Sequence, residues 1–304
     1  MRVPHRLARA HVLAGIACGL AGLAPLLGGA AAPRAFEPGR VHHLNGATLH
    51  PIGKWAVEGA GSLFDQGTLT SHMLLVEASA SLILVEAALG LRDVAEPETR
   101  LPGFWRWLTR PVLDPGETAL AQVERLGFRG SDVEDIVLTH LDLDHTGGLA
   151  DFPAARVHVA ARELTVATHS QAGRYRKVHW SHGPRWEPHE FGDAWFGFPS
   201  AVVSIDPEIR LVALPGHSDG HAGVALKEGA RWLLHAGDAY FHRSELRCEP
   251  QRECPVGLEA FQTVAQSDGK VRLGTQERLR KLHRSGMGVR ILSAHDPVEL
   301  QEHL

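Results

Sequence analysis

The chain has 304 residues, of which 44% are hydrophobic and 22% are charged, and these proportions are typical of a soluble globular protein. They exclude collagen-like, coiled-coil and wholly disordered chains. Lys and Arg together number 31 against 35 Asp and Glu, and without a basic excess the chain is not expected to bind nucleic acid. The 20 histidines direct attention to metal chemistry instead.

Residues 1–32 have the pattern of a secretory signal peptide. Three arginines lie among the first nine residues, and the run from Val12 to Ala32 carries no charge and ends in small residues. We therefore expect residues 33–304 to form the mature domain, periplasmic or secreted, with no stable membrane insertion after processing. A membrane anchor and a cytoplasmic protein with a misassigned start codon stay open as alternatives.

Three cysteines bear on the compartment. Cys18 lies in the apolar leader, whereas Cys248 and Cys254 lie six residues apart in the polar run CEPQREC. In an oxidising compartment the latter two would be able to close a small disulfide loop, and two unpaired surface thiols are the alternative. Their spacing matches no common zinc motif.

From Arg40 to Leu304, apolar patterns predict strands alternating with helices in one α/β domain. The run Met73–Leu89 predicts two strands joined by a turn at 78–81, and residues 117–128 predict an amphipathic helix. Four later strands are each predicted to end in a residue of a metal-binding type: His140, His217, Asp238 and His295. Because strand ends on one edge of a sheet can converge, these residues predict a single site.

The run THLDLDHTGG carries the densest set of such residues. It holds His140, Asp142, Asp144 and His145, all of which are ligand types for first-row metals. An isolated histidine at a strand end is usually a hydrogen-bonded structural residue, but that interpretation does not explain four such residues together. The run therefore predicts a metal site.

These motifs together resemble the metallo-β-lactamase superfamily, and LPGHSDGHAGV, HAGD and SAHD are most similar to its N-acyl homoserine lactonase-like branch. The resemblance covers roughly Arg40 to Leu304 and implies a four-layer αββα sandwich with two divalent metal ions between its sheets. It implies a first metal held by His140, Asp142 and His217. It implies a second metal held by Asp144, His145 and His295, with Asp238 bridging both.

Two positions depart from the superfamily's pattern. Asp142 stands where the family has His, and a harder, negatively charged ligand shifts preference from zinc toward iron or manganese. Zinc stays the first expectation, and the alternative is that Asp142 does not bind and leaves the first site weak or empty. In LVEAALG, Glu86 replaces the Asp that commonly supports the metal loop.

The resemblance implies a hydrolase acting on a small acyl substrate. Two bridged metal ions acidify a bound water and polarise an acyl oxygen, and Asp144 would orient that water and pass its proton to the leaving group. The expected substrates are lactones or carboxylic esters, with N-acyl homoserine lactones as first candidates. Tyr240 is a candidate oxyanion donor. In the lactonases the comparable Tyr corresponds to Phe241, so a packed Tyr240 with a satisfied hydroxyl is the alternative.

Three other functions stay open. A metallo-β-lactamase would suit an exported protein, although true β-lactamases keep His where Asp142 stands. A flavin-partnered di-iron oxidoreductase carries an acid at this position, but this chain has no room for a flavodoxin-like domain. An inactive or single-metal protein is the third alternative, and the metal content per chain discriminates it.

The remaining histidines and aromatic runs have secondary roles in this interpretation. We expect His221 to support the ligands rather than bind metal, and His235 to be a satisfied core residue. The aromatic segment Lys177–Pro199 would either wall the substrate pocket or form a separate hydrophobic cluster, and Gly103–Leu108 is a weaker candidate wall.

Overall fold

A computed structural model of the chain describes residues 34–170, 173–205, 207–247 and 255–304. The predicted signal peptide at 1–32 lies outside the described residues, and so do Cys18, Cys248 and Cys254. The signal peptide, the exported location and the disulfide therefore stay predictions.

Two six-stranded sheets form the centre of the fold. The first sheet has the order β1-β2-β3-β4-β5-β6, with strands Val41–Leu49 (β1), Leu69–Glu77 (β2), Leu82–Val85 (β3), Val133–Val137 (β4), Arg156–Ala160 (β5) and Arg185–His189 (β6). The second has the order β12-β11-β10-β9-β8-β7, with strands Asp193–Trp195 (β7), Phe198–Ile205 (β8), Glu208–Ala213 (β9), Ala222–Glu228 (β10), Arg231–His235 (β11) and Val289–Leu292 (β12). Strands β3 to β6 run parallel, as do β11 and β12, and the other neighbours are antiparallel.

Short helices connect the strands, and a few longer ones cover the sheets. The α-helices are Lys54–Glu58 (α1), Leu91–Ala95 (α2), Pro97–Arg100 (α3), Gly103–Thr109 (α4), Ala119–Arg125 (α5), Leu143–Thr146 (α6), Ala161–His169 (α7), Ser244–Arg247 (α8), Val256–Ala265 (α9), Gly269–Arg284 (α10) and Pro297–Gln301 (α11). Single turns of 3-10 helix lie at Pro115–Glu117, Gly130–Asp132, Gly147–Asp151, Lys177–Trp180 and Gly237–Ala239. The predicted amphipathic helix at 117–128 is α5, whose first turn is capped by the Thr118 hydroxyl.

Three hydrophobic clusters fix the order of the layers. The two sheets pack on each other through side chains such as Val85 of the first and Val224 of the second. Helices α5 and α7 bury Val123 and Ala167 against the outer face of the first sheet, while α10 buries Leu279 against the second. The layers are therefore helix, sheet, sheet, helix, and the predicted αββα sandwich is confirmed.

The region from Arg34 to Leu304 clusters as one compact unit. Among the described residues, none of the helices combines the length and the apolar character needed to cross a lipid bilayer.

The strands end slightly earlier than the sequence predicts. Strand β4 stops at Val137, and His140 follows in a loop. The Leu138 N–H still bonds to the strand β5 carbonyl of His158, but the next N–H, of Thr139, turns to the Glu86 carboxylate. The backbone leaves the sheet at that point, so the metal-binding residue types lie in the loops and short helical turns that follow β4, β9, β11 and β12 rather than within the strands.

We predict that Leu233→Ala, in the layer between the sheets, lowers the free energy of unfolding by about 2–5 kcal/mol. Leu233 is fully buried among side chains of both sheets, so its truncation leaves a cavity. Leu273→Ala on the outer side of α10 is the matched control, because 54% of Leu273 is exposed, and we expect a change within about 0.5 kcal/mol. Urea denaturation measures both, and equal losses would contradict this position of the core.

Candidate metal centre

The seven predicted ligands meet in one cluster, in the two groupings implied by the resemblance. In the first group, Asp142 Oδ2 lies 3.0 Å from His217 Nε2 and 3.4 Å from His140 Nε2. Side-chain atoms of this group lie close enough together to share one ion.

The second group consists of Asp144, His145 and His295. His295 Nε2 lies 3.8 Å from Asp144 Oδ2, and His145 Nε2 lies 4.0 Å from Asp144 Oδ1. These separations are those of side chains arranged around a common point rather than hydrogen-bonded to one another.

Asp238 lies between the two groups and faces each with a different oxygen. Its Oδ2 lies 3.3 Å from His217 Nε2 and 3.7 Å from His140 Nε2. Its Oδ1 lies 3.1 Å from His295 Nε2 and 3.3 Å from His145 Nε2. This is the position that the family resemblance implies for a bridging carboxylate.

Neighbouring acceptors fix the tautomers of two histidines. His295 Nδ1–H donates to the Thr70 carbonyl at 2.7 Å, and His145 Nδ1–H donates to the Glu86 carboxylate at 2.9 Å. A carbonyl and a carboxylate only accept hydrogen bonds, so the Nε2 lone pair of each ring points into the cluster. The longer acid at position 86 therefore performs the supporting role expected there.

The atoms that face the cluster have no partner of their own. His140 Nε2, His145 Nε2 and Asp238 Oδ1 are buried and lack a hydrogen bond among the described residues. Buried polar atoms are rarely left unsatisfied, and several converging on one point fit a divalent metal ion. A mixed set of imidazoles and carboxylates suits zinc, iron and manganese alike.

Two carboxylates of the cluster, those of Asp142 and Asp238, have lowered pKa values, which favours the ionised form that metal binding requires. Burial on its own raises the pKa of Asp238, but His295 and His145 outweigh it and hold that pKa well below its usual value. Burial likewise raises the pKa of Asp142, and the Arg174 guanidinium outweighs it and holds that pKa well below the usual value. Both side chains are therefore ready to bind a cation at neutral pH.

Comparison with known proteins identifies the family. The sequence model of the metallo-beta-lactamase superfamily matches residues 112–285, more than half of the chain. The chain belongs to the metallo-β-lactamase superfamily. This confirms the family inferred from the motifs and makes a metal-binding hydrolase fold the framework for the site.

Two sequence relatives and one solved structure are similar to the chain. A probable metallo-hydrolase of Mycobacterium tuberculosis is 39% identical over 275 residues, which cover 88% of this chain and 83% of that protein. The N-acyl homoserine lactonase AttM of Azorhizobium caulinodans is 33% identical over 142 residues, covering 43% of this chain and 50% of AttM. A solved N-acyl homoserine lactone hydrolase, with N-hexanoyl-L-homoserine bound at its catalytic metal centre, matches with a TM-score of 0.67 at 18% identity, covering 88% of this chain and 97% of that one. The last likeness shows the fold alone.

Two further histidines of this superfamily member are structural. His221 Nδ1–H donates to the Leu214 carbonyl at 3.0 Å, and its Nε2 accepts the Asp238 backbone N–H at 3.0 Å. With both nitrogens used, His221 holds the Asp238 loop and has no lone pair left for metal, as predicted. His235 Nε2–H donates to the carbonyl of His72 at 2.8 Å inside the core, also as predicted.

The structure corrects the catalytic role predicted for Tyr240. The side chain is fully buried in the hydrophobic core between the second sheet and α10, and its hydroxyl donates to Glu299 at 2.9 Å. A hydroxyl committed to a buried carboxylate has no access to substrate, so the alternative of a packed, satisfied Tyr240 is the observed one. Phe241, the next residue, faces the pocket instead.

Two residues near the cluster were missed by the sequence analysis. Glu163 on α7 accepts the Leu141 N–H at 3.1 Å and the Ser218 hydroxyl at 2.6 Å, which ties together the loops that carry His140 and His217. Arg174 binds the Asp142 carboxylate. Neither residue lies in a recognisable motif. The one sequence signal that pointed to Arg174 was the acid at position 142, whose negative charge has no basic residue near it in the sequence.

A cavity opens over the cluster and continues into an apolar chamber of about 200 Å³. Asp144, His295 and Phe241 line both parts, and the chamber is closed by apolar side chains from α1, α4 and α9, including Leu108 and Phe261. The weaker candidate wall at Gly103–Leu108 is therefore the one that lines the pocket. In the segment Lys177–Pro199, by contrast, Trp180, Trp195 and Phe198 pack into the cores, which is the hydrophobic-cluster alternative.

We predict that Glu86→Gln weakens metal binding about 10- to 100-fold, the usual cost of losing support behind a ligand. Glu86 accepts hydrogen bonds on both oxygens, from Thr139 N–H and His145 Nδ1–H, and an amide would set one N–H against another. Competition with a chromophoric chelator measures the affinity. Glu134→Gln, at an exposed position of β4, is the matched control, and an equal effect of both changes would contradict this role.

Proposed function

We propose that the chain is a two-metal hydrolase that opens lactones, or cleaves carboxylic esters, of acids bearing an apolar acyl chain. The observation that carries this proposal is the position of Asp238. Its Oδ2 faces His217 and His140, and its Oδ1 faces His295 and His145. The Nε2 atoms of His140 and His145 have no hydrogen-bond partner among the described residues. Two metal ions held on either side of such a carboxylate would together clamp an acyl or phosphoryl oxygen.

Bound divalent ions supply an acidified water and polarise the acyl carbonyl. The chain's own residues do the rest. Asp144 reaches into both parts of the cavity and is 13% exposed, so its carboxylate can hold the water and carry a proton to the departing alkoxide. His295 and His145 would hold the second ion together with Asp144, so the Asp144 carboxylate would lie next to the reacting atoms.

The cavity accounts for the acyl chain. One part lies over Asp142, His217 and Asp238, and the apolar chamber extends from Phe241 to side chains that line it alone, such as Leu108. A substrate with its lactone ring or ester group on the ions would place its alkyl chain among the apolar side chains of the chamber. A phosphate or sulfate ester without an apolar tail would leave the chamber unfilled.

The relatives support the same substrate class. AttM is named for N-acyl homoserine lactones, and the matched solved structure holds N-hexanoyl-L-homoserine at its metal centre. N-acyl homoserine lactones and the ring-opened N-hexanoyl-L-homoserine each combine a polar head with an acyl chain, and the two-part cavity of this chain has room for both.

We predict that the protein, loaded with zinc, manganese or iron, releases protons from N-acyl homoserine lactones, and that a chelator abolishes the release. A pH-stat or indicator assay follows the reaction. Asp238→Ala would lower turnover by at least about 10³-fold, because it removes the ligand shared by both groups. Unchanged turnover in Asp238→Ala would refute the two-metal mechanism. No release from protein that holds two metals would refute the lactone substrate and leave acyclic esters and lactams to be assayed.

We predict that Leu108→Ala lowers kcat/KM about tenfold for a decanoyl lactone and leaves a butanoyl lactone within about twofold. Leu108 lines the chamber but not the part of the cavity over the ligands, so only the longer chain is expected to contact it, and tenfold corresponds to about 1.4 kcal/mol of lost apolar contact. The matched control is Val264→Ala on α9, since 86% of Val264 is exposed and it lines neither part of the cavity. Equal losses for both chain lengths would place the acyl chain elsewhere.

A further inference from the structure

Arg174 holds the one ligand that departs from the superfamily's pattern. Its Nε–H donates to Asp142 Oδ1 at 2.7 Å, and its Nη2–H donates to Asp142 Oδ2 at 2.7 Å. This is the two-pronged arrangement in which a planar guanidinium matches a carboxylate edge to edge.

The guanidinium is itself held from its other side. Its Nη1 donates to the His217 carbonyl at 3.0 Å and to the Ala265 carbonyl at the end of α9. Arg174 thereby joins the loop of Asp142, the loop of His217 and helix α9 through four hydrogen bonds. With the guanidinium so fixed, the plane of the Asp142 carboxylate is fixed as well.

The fork leaves only one way for Asp142 to bind a metal ion. Each carboxylate oxygen has two lone pairs, and Arg174 occupies one on each. Oδ2 is the oxygen that lies close to His217 Nε2 and His140 Nε2, at 3.0 and 3.4 Å, whereas Oδ1 is turned to the guanidinium Nε–H. A chelating contact through both oxygens would require the carboxylate to rotate out of the fork.

The pair also restores the charge of a neutral ligand. His at position 142 would contribute no charge, Asp142 contributes −1, and the Arg174 guanidinium contributes +1 beside it. Asp142 and Arg174 together are therefore electrically equivalent to the imidazole that the family pattern has here, although the donor atom is oxygen.

We propose that Arg174 is a positioning residue that restricts Asp142 to one-oxygen coordination and so keeps the first metal site selective for zinc over manganese. Zinc favours four ligands in a tetrahedron, a number that one Asp142 oxygen, the imidazoles of His140 and His217 and the Asp238 Oδ2 would complete. Manganese favours more oxygen ligands, which an unrestrained carboxylate supplies by binding through both atoms. The inference rests on the two-metal loading proposed above.

The test measures metal content rather than turnover. Protein freed of metal is dialysed against equimolar zinc and manganese, and elemental analysis gives the Mn:Zn ratio while electron paramagnetic resonance reports the manganese environment. We expect Arg174→Gln and Arg174→Lys each to raise the Mn:Zn ratio at the first site about tenfold, because neither side chain forms the fork. Arg176→Gln is the matched control and should keep the wild-type ratio. Arg176 lies in the same segment, and among the described residues it donates to the carbonyls of Thr99 and Arg100 and not to a metal ligand.

The lysine variant separates geometry from charge. Lysine keeps the positive charge without the two-pronged contact, so a wild-type ratio in Arg174→Lys together with a shifted ratio in Arg174→Gln would overturn the proposal in favour of charge alone. A ratio that is unchanged in both variants would overturn it as well.

The Asp142→His background shows whether the effect passes through the carboxylate. We expect Asp142→His to favour zinc by itself and to cancel the effect of Arg174→Gln, because no carboxylate is left to be restrained. An equal shift in both backgrounds would refute the proposal. Wild-type protein that takes up only one ion per chain would instead refute the two-metal loading, so the two failures are distinguishable.

Discussion

The site depends on the buried carboxylate of Asp238, which faces four imidazole nitrogens without forming a well-made hydrogen bond to any of them. Asp238 is 4% exposed, and the ring nitrogens around it lie at 3.1 to 3.7 Å. Burial on its own lowers the pKa of His145, yet Asp238 and Glu86 outweigh it and raise that pKa well above its usual value. A proton and a metal ion therefore compete for the same nitrogen, and the cluster is satisfied only when a cation of one kind or the other is present.

Holding such a cluster in place requires support from outside it. Glu86 has a positive φ of 67°, a conformation that costs a non-glycine residue about 1–3 kcal/mol, and it serves two loops from that position. The Gly148 backbone passes so close to the Ala87 carbonyl that a side chain at 148 would clash. Glu163 adds a second buried carboxylate that binds two loops at once. The ligand loops are thus fixed by buried hydrogen bonds, while the sheets only bring them to the same edge.

The strand and ligand patterns predicted an α/β domain with one metal site, and the family resemblance that those patterns carry implied the sandwich and the ligand groupings. Apolar runs of strand length mark the sheets, and the ligands follow those runs at short, regular distances, as His140 follows β4. What the sequence could not predict depends on contacts between distant segments. Arg174 lies 32 residues from the acid that it binds, and the Tyr240 hydroxyl finds its acceptor 59 residues away in Glu299. The aromatic run at 177–199 was equally ambiguous, because burial and pocket lining demand the same residue types.

The same distinction determines how a change within a ligand motif should be interpreted. An acid in place of histidine alters the charge of the site by one unit and gives the ligand a second donor atom. Whether the extra charge and the second donor atom affect the bound metal depends on which residues hold the acid in place. In this chain a guanidinium takes one lone pair from each oxygen of Asp142 and is itself fixed to the carbonyls of His217 and Ala265. A chain with the same motif but no arginine within reach would present a free carboxylate of different charge and denticity. The motif alone therefore does not define the first site, and the residue that completes its definition lies outside it.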